Sequence, residues 1–506
     1  MESSEDRIPI VDNNSISNTS GDPHSRPSIS VPNNYVHRVY PVRWAIVLVL
    51  AFINGSNAYI WISYAPVANH FCEYYSTTEY VLNWMQLVFP ITTVLFGLPA
   101  SLVVDWLGIR FVLLFSVTTH LICGLARLLS SCSTHWPPTT IRLRLVLFGH
   151  VVASLAQPLC MFAPTKLALD WFPDFQRTTA NTIGSLGNSV GVLIGSALVP
   201  FLVPQPSAIP TFNYITMGLV TFGGVLSVIF VRKNKPETPP SVASAVFEEM
   251  HRKHAVTIPM RLQSFVRCVS LAMRSPAFFL LATTFGGGLA YFGAISTLLQ
   301  QILCTKGYSN EYAGICGSLL IVAGLIASAP CAIYVDRTGR LVESVKVCFV
   351  LATLGCVGFS VVIWFPGQSF LTIFFTMWLG AFGFAQYSLA LELAAEITFP
   401  VPEAITTGLM ISFSQILSIV FVAGMQAAAP EVHSSPSFTP TCGSAVTPQD
   451  YTVPNLVVCS TLVLIGIIQL FALRVTYKRR EASLSFNSQV DAPPNHVQSV
   501  IDEMGC

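Results

Sequence analysis

The chain has 506 residues and a formal net charge of +1, and only 10% of its residues are charged. Its mean hydropathy of +0.61 does not fit a soluble protein, which needs a polar surface, so the composition predicts a membrane protein. A charge balance this close to zero lacks the basic excess of nucleic-acid-binding proteins, and we expect no nucleic acid partner.

Twelve apolar runs predict an all-α membrane protein. Residues 1–37 are polar and rich in Ser, Asn and Pro, which is typical of a disordered tail. Each later run has the roughly 20 residues that a helix needs to cross a hydrocarbon core of about 30 Å. The polar segment 232–275 separates two sets of six, so we expect halves at 38–231 and 276–477 and a second tail at 478–506. The predicted spans are 44–68, 80–104, 110–130, 143–164, 178–203, 211–231, 276–301, 312–335, 345–365, 369–395, 402–428 and 454–474.

Span 1 carries a dense set of polar residues. Asn57, Trp61 and Tyr64 are spaced i, i+4, i+7, which places them on one face of a continuous helix. Gln157 and Gln415 fall in the middle of spans 4 and 11, where an amide is costly unless it faces a cavity or a partner helix. Convergence of these five residues predicts a site for a small polar or cationic solute, since indole rings attract ammonium groups. The alternative is that each amide makes a helix–helix hydrogen bond.

A short charged signature follows span 2 and recurs after span 8. Residues 97–110 read GLPASLVVDWLGIR and residues 328–340 read SAPCAIYVDRTGR. An Asp at the end of a span accepts hydrogen bonds from a neighbouring helix and pairs with Arg, so it predicts a latch that breaks when that end of the bundle opens. The alternative is an ordinary surface turn, but two copies at matching positions favour the latch and two similar six-helix halves. The predicted latch residues are Asp105, Arg110, Asp336, Arg337 and Arg340. The repeated signature resembles that of the major facilitator superfamily.

The distribution of Lys and Arg predicts the orientation. If both termini face the cytosol, only Arg127, Arg142, Arg144 and Lys306 of the 26 basic residues lie on the other side. We therefore predict a multi-pass protein of the lipid bilayer with cytosolic termini. The plasma membrane is favoured, and an endolysosomal membrane is the alternative.

The cysteines show no metal-ligand spacing, and we expect neither a metal nor a cofactor. The 13 cysteines are scattered singly, most of them inside apolar runs. Cys304 and Cys316 could meet in one short non-cytosolic loop and are the disulfide candidates. Cys72 and Cys442 also lie outside the apolar runs, so the pairing among these four stays open.

Glu392 and Glu396 lie near the end of span 10, at i, i+4. They could form a proton or ion relay, but their position just before Pro400 favours pairing with the Arg residues of the latch. We therefore group them with the gating residues.

Four longer runs resemble solute carrier family 49, which contains the feline leukaemia virus subgroup C receptor-related transporters. The similarity covers about residues 38–478 and is strongest to the branch of major facilitator superfamily domain-containing protein 7. The runs are SNAYIWISYAPVANHF in span 1, SLAQPLCMFAPTKLALDWFPDFQRTTAN in span 4, STLLQQIL in span 7 and ALELAAEITFPVPEAITTGL across spans 10 and 11.

This resemblance implies the major facilitator fold and transport of choline or ethanolamine, with heme export and pyridoxine transport assigned to some members. It implies that Trp61 is the family's choline-contacting Trp and that Gln157 and Gln415 are its amides. Two positions depart from the family. Gly293 stands where a substrate-contacting Tyr is expected, and Asn83 stands where the receptor-related members have Asp.

The sequence therefore predicts a transporter of a small organic solute, favouring a choline- or ethanolamine-like cation. We expect alternating access, uniport and function as a monomer. The alternatives are a heme or pyridoxine-like solute, or a membrane receptor or scaffold that transports nothing. No Ser/His/Asp set, metal cluster or phosphate loop indicates an enzyme.

Overall fold

The structure is a computed structural model that describes residues 39–132, 138–238, 240, 258–365, 367–399, 401, 403–432, 441–442 and 447–475. The predicted tails 1–37 and 478–506 lie outside these residues, as do residues 239 and 241–257 of the predicted loop 232–275. The boundaries of the two halves therefore stay predictions.

The described residues are almost entirely helical. Apart from two single 3₁₀ turns and one isolated bridge between Glu431 and Gln449, they form α-helices. The helices are α1 (Val42–Ile62), α2 (Ala68–Tyr75), α3 (Glu79–Leu129), α4 (Thr139–Ser154), α5 (Gln157–Trp171), α6 (Asp174–Leu202), α7 (Ile209–Phe230), α8 (Ile258–Met273), α9 (Pro276–Cys304), α10 (Asn310–Thr338), α11 (Leu341–Val362), α12 (Ser369–Thr398), α13 (Glu403–Ala428) and α14 (Thr452–Ala472).

The helices confirm an all-α membrane protein. In the described ranges, 11 helical segments are long and apolar enough to cross a bilayer. The 51-residue α3 is broken at Gly108, whose φ of 76° is one that glycine adopts without strain. Because the break falls between predicted spans 2 and 3, α3 accounts for both of them.

Each half has apolar clusters of its own, a further cluster is shared by both, and the halves meet along two helix pairs. In the first half α1 packs along α6, and α3 contacts α4, α5 and α7. In the second half α12 packs between α10 and α11, while α9 packs on α13. Contact between the halves runs through α3 with α13 and through α6 with α10. The space between these two pairs is where a central site can form.

The helices of the first half approach closely where glycine faces a backbone. A Cβ at Gly187 of α6 would lie 2.1 Å from the Ala51 carbonyl oxygen of α1. Any larger residue would force the two helices apart, so this glycine fixes the position of α1 against α6.

The disulfide prediction named the wrong partner for Cys304. Cys304 at the end of α9 pairs with Cys442, and the two Cα atoms are 4.9 Å apart. Cys316 is a free, buried cysteine inside α10, where its side chain packs in the apolar core. Thr441 donates its backbone N–H to the Cys304 carbonyl, 3.0 Å away. This bond holds the segment after α13 against the end of α9, so Cys442 rather than Cys316 reaches Cys304.

Candidate solute-binding site

A cavity of about 490 Å³ lies between the two halves. Trp61 and Gln157 line it from the first half, and Gln415 lines it from the second. The structure thus brings together three of the five residues that the sequence predicts for a solute site. Their role in binding stays a prediction.

The lining combines aromatic rings with uncharged polar groups. Among the described residues that line it, no Asp, Glu, Lys, Arg or His is present. Such a surface holds a solute through ring faces and hydrogen bonds rather than through an ion pair. The rings belong to Trp61, Phe89, Phe285, Tyr291, Phe292, Phe349, Phe384 and Tyr387, and the amides to Asn54, Gln157, Asn181, Asn188, Gln386 and Gln415. The described residues contain no cluster of His, Cys, Asp or Glu that could hold a metal ion.

Three lining amides have buried atoms without a hydrogen-bond partner in the protein. They are Oδ1 of Asn54 and Oε1 of Gln157, in the first half, and Nε2 of Gln386, in the second. A buried polar atom left without a partner is costly, so all three are available to a bound solute. Gln386 was not among the predicted site residues, although its position inside predicted span 10 carries the same signal as Gln157 and Gln415.

Asn57 and Tyr64 were predicted to face the solute, and the structure contradicts this. Asn57 Nδ2 lies 3.0 Å from His120 Nε2, and the Tyr64 hydroxyl donates to Asn213 Oδ1 at 2.6 Å. Both side chains are fully buried inside the first half. The i, i+7 spacing assumed one continuous helix, whereas α1 ends at Ile62 and Tyr64 begins the next turn.

The position of the missing family Tyr is part of the cavity wall. A Cβ at Gly293 would lie 3.0 Å from Ser418 Oγ. Its neighbours Tyr291 and Phe292 also line the cavity. Phe292 packs edge-on against Phe384, with ring centroids 5.5 Å apart, so an aromatic wall remains in the second half.

We call the end of the bundle that carries Cys304 and Cys442 the disulfide end, and the opposite end the Asp105 end. At the disulfide end, buried amides join the halves. Asn83 of α3 and Gln301 of α9 donate to each other, with N–O distances of 3.1 and 2.7 Å. Asn310 Nδ2 donates to Asn69 Oδ1 at 2.9 Å, and Gln300 Nε2 donates to Asn310 Oδ1 at 2.9 Å. We call these five amide residues the amide seam.

The disulfide-linked segment supports the amide seam. Tyr451 donates its hydroxyl proton to Gln301 Oε1 at 3.0 Å and is itself buried. Asn83 therefore lies in a contact between the halves and not in the cavity lining. None of these contacts uses a charge, so the seam closes this end without the cost of burying an ion.

The Asp105 end is not closed in this way. Thr182 of α6 and Ser388 of α12 line the cavity, and both are exposed. The latch residues Asp336, Arg337 and Arg340 are exposed and make no ion pair with any residue in the described part of the chain. The predicted pairs in the second signature are therefore not formed in this conformation.

The first signature pairs with a different cation than predicted. Asp105 contacts Lys166 of α5 at 3.3 Å, and Lys166 also contacts Asp170 at 3.6 Å. Arg110 uses its backbone N–H, which donates to Asn234 Oδ1 at 3.1 Å, and its side chain is exposed. Asp105, Lys166 and Asp170 all belong to the first half, so these ion pairs do not join the halves.

The two carboxylates of the gating set, Glu392 and Glu396, lie on α12 at the Asp105 end. Glu392 is exposed, whereas Glu396 has a buried Oε2 without a partner. The expected pairing of Glu396 with a latch Arg is absent from the described residues. Neither Glu lines the cavity, so the structure does not connect them to the solute site.

Known proteins match this chain over most of its length. The profile of the Major Facilitator Superfamily matches residues 45–424. Solute carrier family 49 member A3 of Danio rerio is 33% identical over 88% of this chain and 90% of its own length. The choline/ethanolamine transporter flvcr2b of Danio rerio is 28% identical over 76% of this chain and 77% of its own length.

Solved structures share the fold at low identity. A bacterial homolog of the human lysosomal transporter Spinster, in an inward-facing and occupied conformation, aligns with a TM-score of 0.60 at 13% identity, covering 87% of this chain and 99% of that one. A D-xylose–proton symporter aligns with a TM-score of 0.59 at 12% identity, covering 86% and 98%. At such identities the similarity concerns the fold alone.

Proposed function

Because this chain belongs to the major facilitator superfamily and, within it, to solute carrier family 49, it is a membrane transporter and not an enzyme, and we propose that it moves a small organic solute by alternating access through the central cavity. In this mechanism the two halves rock about the site and open it to one side of the membrane at a time.

The observation that carries this proposal is the contrast between the two ends of the cavity. The amide seam joins the halves at the disulfide end through buried, reciprocal hydrogen bonds. At the other end the lining reaches exposed Thr182 and Ser388, and Asp336 has no ion-pair partner among the described residues. This is the geometry of a site open to one side only. The latch would form, and the seam would break, in the opposite state.

The favoured solute is a choline- or ethanolamine-like cation. Trp61 offers a ring face to an ammonium group, and Gln157 and Gln415 offer groups that bind a hydroxyl. A cation–π contact contributes about 0.5–2 kcal/mol, depending on how fully the cation is desolvated. The 28% identical relative that is named as a choline/ethanolamine transporter supports the same class.

The uncharged lining supports uniport. Proton-coupled carriers of this fold need an ionisable group that the solute and the proton share, and the described lining offers none. A cation would then move down its own gradient and the membrane potential, which contributes about 2.3 kcal/mol per charge per 100 mV.

The disulfide supports the proposed orientation. Disulfides persist in oxidising compartments, so the end with Cys304 and Cys442 would face the outside and the Asp105 end the cytosol. This agrees with the basic residues, which place both termini in the cytosol. We place the transporter in the plasma membrane, acting as a monomer.

Uptake of radiolabelled choline and ethanolamine into cells that overexpress the chain tests this function. We expect uptake above background, and Trp61→Ala at equal surface level should abolish most of it. Trp364→Ala is the matched control, because Trp364 is 53% exposed at the end of α11 and does not line the cavity.

If the wild-type chain reaches the cell surface and takes up neither solute, the proposal of a choline- or ethanolamine-like cation is rejected. Pyridoxine is the next solute to assay, since a neutral hydroxylated ring also suits aromatic walls and amides without charges. Heme follows as the remaining family solute. Failure with all of them would favour the receptor or scaffold.

A further inference from the structure

The first span is broken directly beside Trp61. Helix α1 ends at Ile62, a 3₁₀ turn covers Ala65–Val67, and α2 begins at Ala68. Pro66 lies in that turn and has no N–H to continue the helical hydrogen bonds. A break of this kind leaves backbone carbonyl groups without helical hydrogen bonds. It also leaves the side chains near the break without a fixed orientation, so another element must hold them in place.

Arg127 of α3 binds the residues on both sides of Trp61. Its Nη2 donates to the Ile60 carbonyl at 3.1 Å and to Ser63 Oγ at 3.0 Å. Ser63 in turn donates to the same Ile60 carbonyl at 3.0 Å. The guanidinium therefore closes a small ring of hydrogen bonds around the last turn of α1.

The other contacts of the guanidinium are also to neutral groups, and its buried Nε and Nη1 have no hydrogen-bond partner in the described part of the chain. Its carbon lies 4.4 Å from the Tyr64 ring centroid, and Nη2 lies 3.3 Å from His150 Nε2. Arg127 is fully buried and makes no ion pair with an acid in the described part of the chain. An unpaired buried cation costs several kcal/mol, so this residue opposes stability unless its contacts serve another purpose.

Helix α7 also contacts Arg127, through Asn213. Asn213 of α7 donates to the Arg127 carbonyl at 3.3 Å and accepts the Tyr64 hydroxyl proton at 2.6 Å. The contacts of Arg127 thus connect the break in the first span to α4 and α7. Arg127 does not line the cavity, whereas Trp61 does.

We propose that Arg127 is a positioning residue for the solute site. It holds the break between α1 and the following turn so that the Trp61 ring faces the cavity. The effect on solute binding rests on the proposed function, but the position of Trp61 does not.

The first experiment measures that position without any solute. Trp61→Cys is introduced alone and together with Arg127→Lys, and labelling of residue 61 by a membrane-permeant maleimide is measured after subtracting labelling of the parent chain. Lysine keeps the charge but lacks the planar group that binds Ile60 and Ser63 together. We expect the labelling rate to change at least about threefold. The control Gln415→Cys should be labelled equally with and without Arg127→Lys, because Gln415 belongs to the other half.

The second experiment measures choline uptake. Arg127→Lys should raise the KM by about two- to thirtyfold, the range that loss of one cation–π contact gives, and should change Vmax per surface transporter by less than about twofold. In a Trp61→Phe background, Arg127→Lys should raise the KM much less, because both changes act on one contact. Tyr75→Phe is the matched control. It removes a hydroxyl that bonds Ser130 and Asn213, and leaves the Arg127 contacts to Ile60 and Ser63 in place.

The outcomes separate the two proposals. Unchanged labelling of residue 61 in Arg127→Lys overturns the positioning role, whatever the solute. An equal rise in KM in the wild-type and Trp61→Phe backgrounds also overturns it, since Arg127 would then act independently of Trp61. A wild-type chain that takes up no choline rejects the solute, and the labelling result alone then decides the role of Arg127.

Discussion

The two ends of the bundle close, or fail to close, with different chemistry. At the disulfide end the halves meet through neutral amides that are buried and donate to each other. At the Asp105 end the residues that could join the halves are charged and exposed. Neutral amides that bond to each other can be buried at lower cost than charges, whereas exposed charges gain little from pairing in water. The disulfide end is therefore closed by buried contacts and the Asp105 end is not, which is the difference that the proposed alternating access requires.

The largest effect is expected from breaking the closed gate. Gln301→Leu removes the partner of Asn83 and of Tyr451, and each orphaned buried group costs about 1–3 kcal/mol. We expect the disulfide end to open more often. Labelling of Trp61→Cys on intact cells by a membrane-impermeant maleimide should then accelerate about tenfold or more.

Gln205→Leu is the control for this change, because Gln205 is an exposed glutamine in the loop between α6 and α7. Equal labelling rates in Gln301→Leu and Gln205→Leu would show that the amide seam does not hold the halves together.

A smaller and pH-dependent effect is expected from Asn83→Asp. A carboxylate accepts from Gln301 Nε2 but cannot donate to Gln301 Oε1, so one of the two bonds is lost. Protonation restores a donor, and the seam should close better in acid than at neutral pH. Because maleimide reacts with the thiolate, labelling slows in acid in every variant, but from pH 7.5 to pH 5.5 it should slow severalfold more in this variant than in Trp61→Cys with Asn83 intact. The same pH dependence in a chain with Asn83 intact would contradict this explanation.

Asn substitutions in the two copies of the Asp signature should differ in their effect on stability but not in their effect on transport. Asp105→Asn removes one of two carboxylates on buried Lys166 and should lower the stability by less than about 1 kcal/mol, since the Asp105 side chain is 54% exposed. Asp336→Asn removes no ion pair in this state and should leave the melting temperature unchanged. Both should slow choline uptake, because both latches act in the opposite state. Normal uptake in Asp336→Asn would remove it from the gate.

The smallest effect concerns the loop that supports the amide seam. Burial raises the pKa of Asp450, but hydrogen bonds from the Thr452 hydroxyl and N–H and the charge of Lys306 outweigh it, so the pKa lies below its ordinary value. A lowered folded-state pKa stabilises the protein above the unfolded pKa of about 3.9, and this stability is lost as the pH falls through the folded-state value.

Asp450→Asn should therefore flatten the acid part of the stability curve by well under 1 kcal/mol. The melting temperature between pH 5 and pH 3 measures this difference. A steeper acid decline in Asp450→Asn than in the wild-type chain would contradict the assignment.

The sequence predicted those site residues whose polarity differs from that of the apolar span around them. Trp61, Gln157 and Gln415 stand out because polar or amphipathic groups are rare in the middle of apolar spans, and all three line the cavity. Gln386 has the same signal and was overlooked. Length and hydropathy also predicted the spans, because each needs about 20 mostly apolar residues. In the described ranges 11 helical segments meet this requirement, and the broken α3 accounts for two predicted spans.

The sequence could not predict contacts set by tertiary geometry. Tyr64 was misplaced because α1 ends at Ile62, before the turn that contains Pro66, and an i, i+7 rule holds only in a continuous helix. Asn57 lies inside α1 and was misplaced because its amide contacts His120 of α3 instead of the cavity. Cys304 pairs with Cys442 over a separation of 138 residues, and Asn83 pairs with Gln301 over 218. Such partners are selected by how the halves dock, and that arrangement leaves no local pattern in either segment.

The most direct test of alternating access measures both ends in one protein. Spin labels at Thr182 and Ser388 report the Asp105 end, and labels at Gln205 and Val453 report the disulfide end. The exposed Cys132 is replaced in all samples. On introducing Gln301→Leu, the distance between Thr182 and Ser388 should shorten while the distance between Gln205 and Val453 lengthens. Distances that stay fixed, or that change in the same direction at both ends, would contradict a transporter whose two gates open in turn.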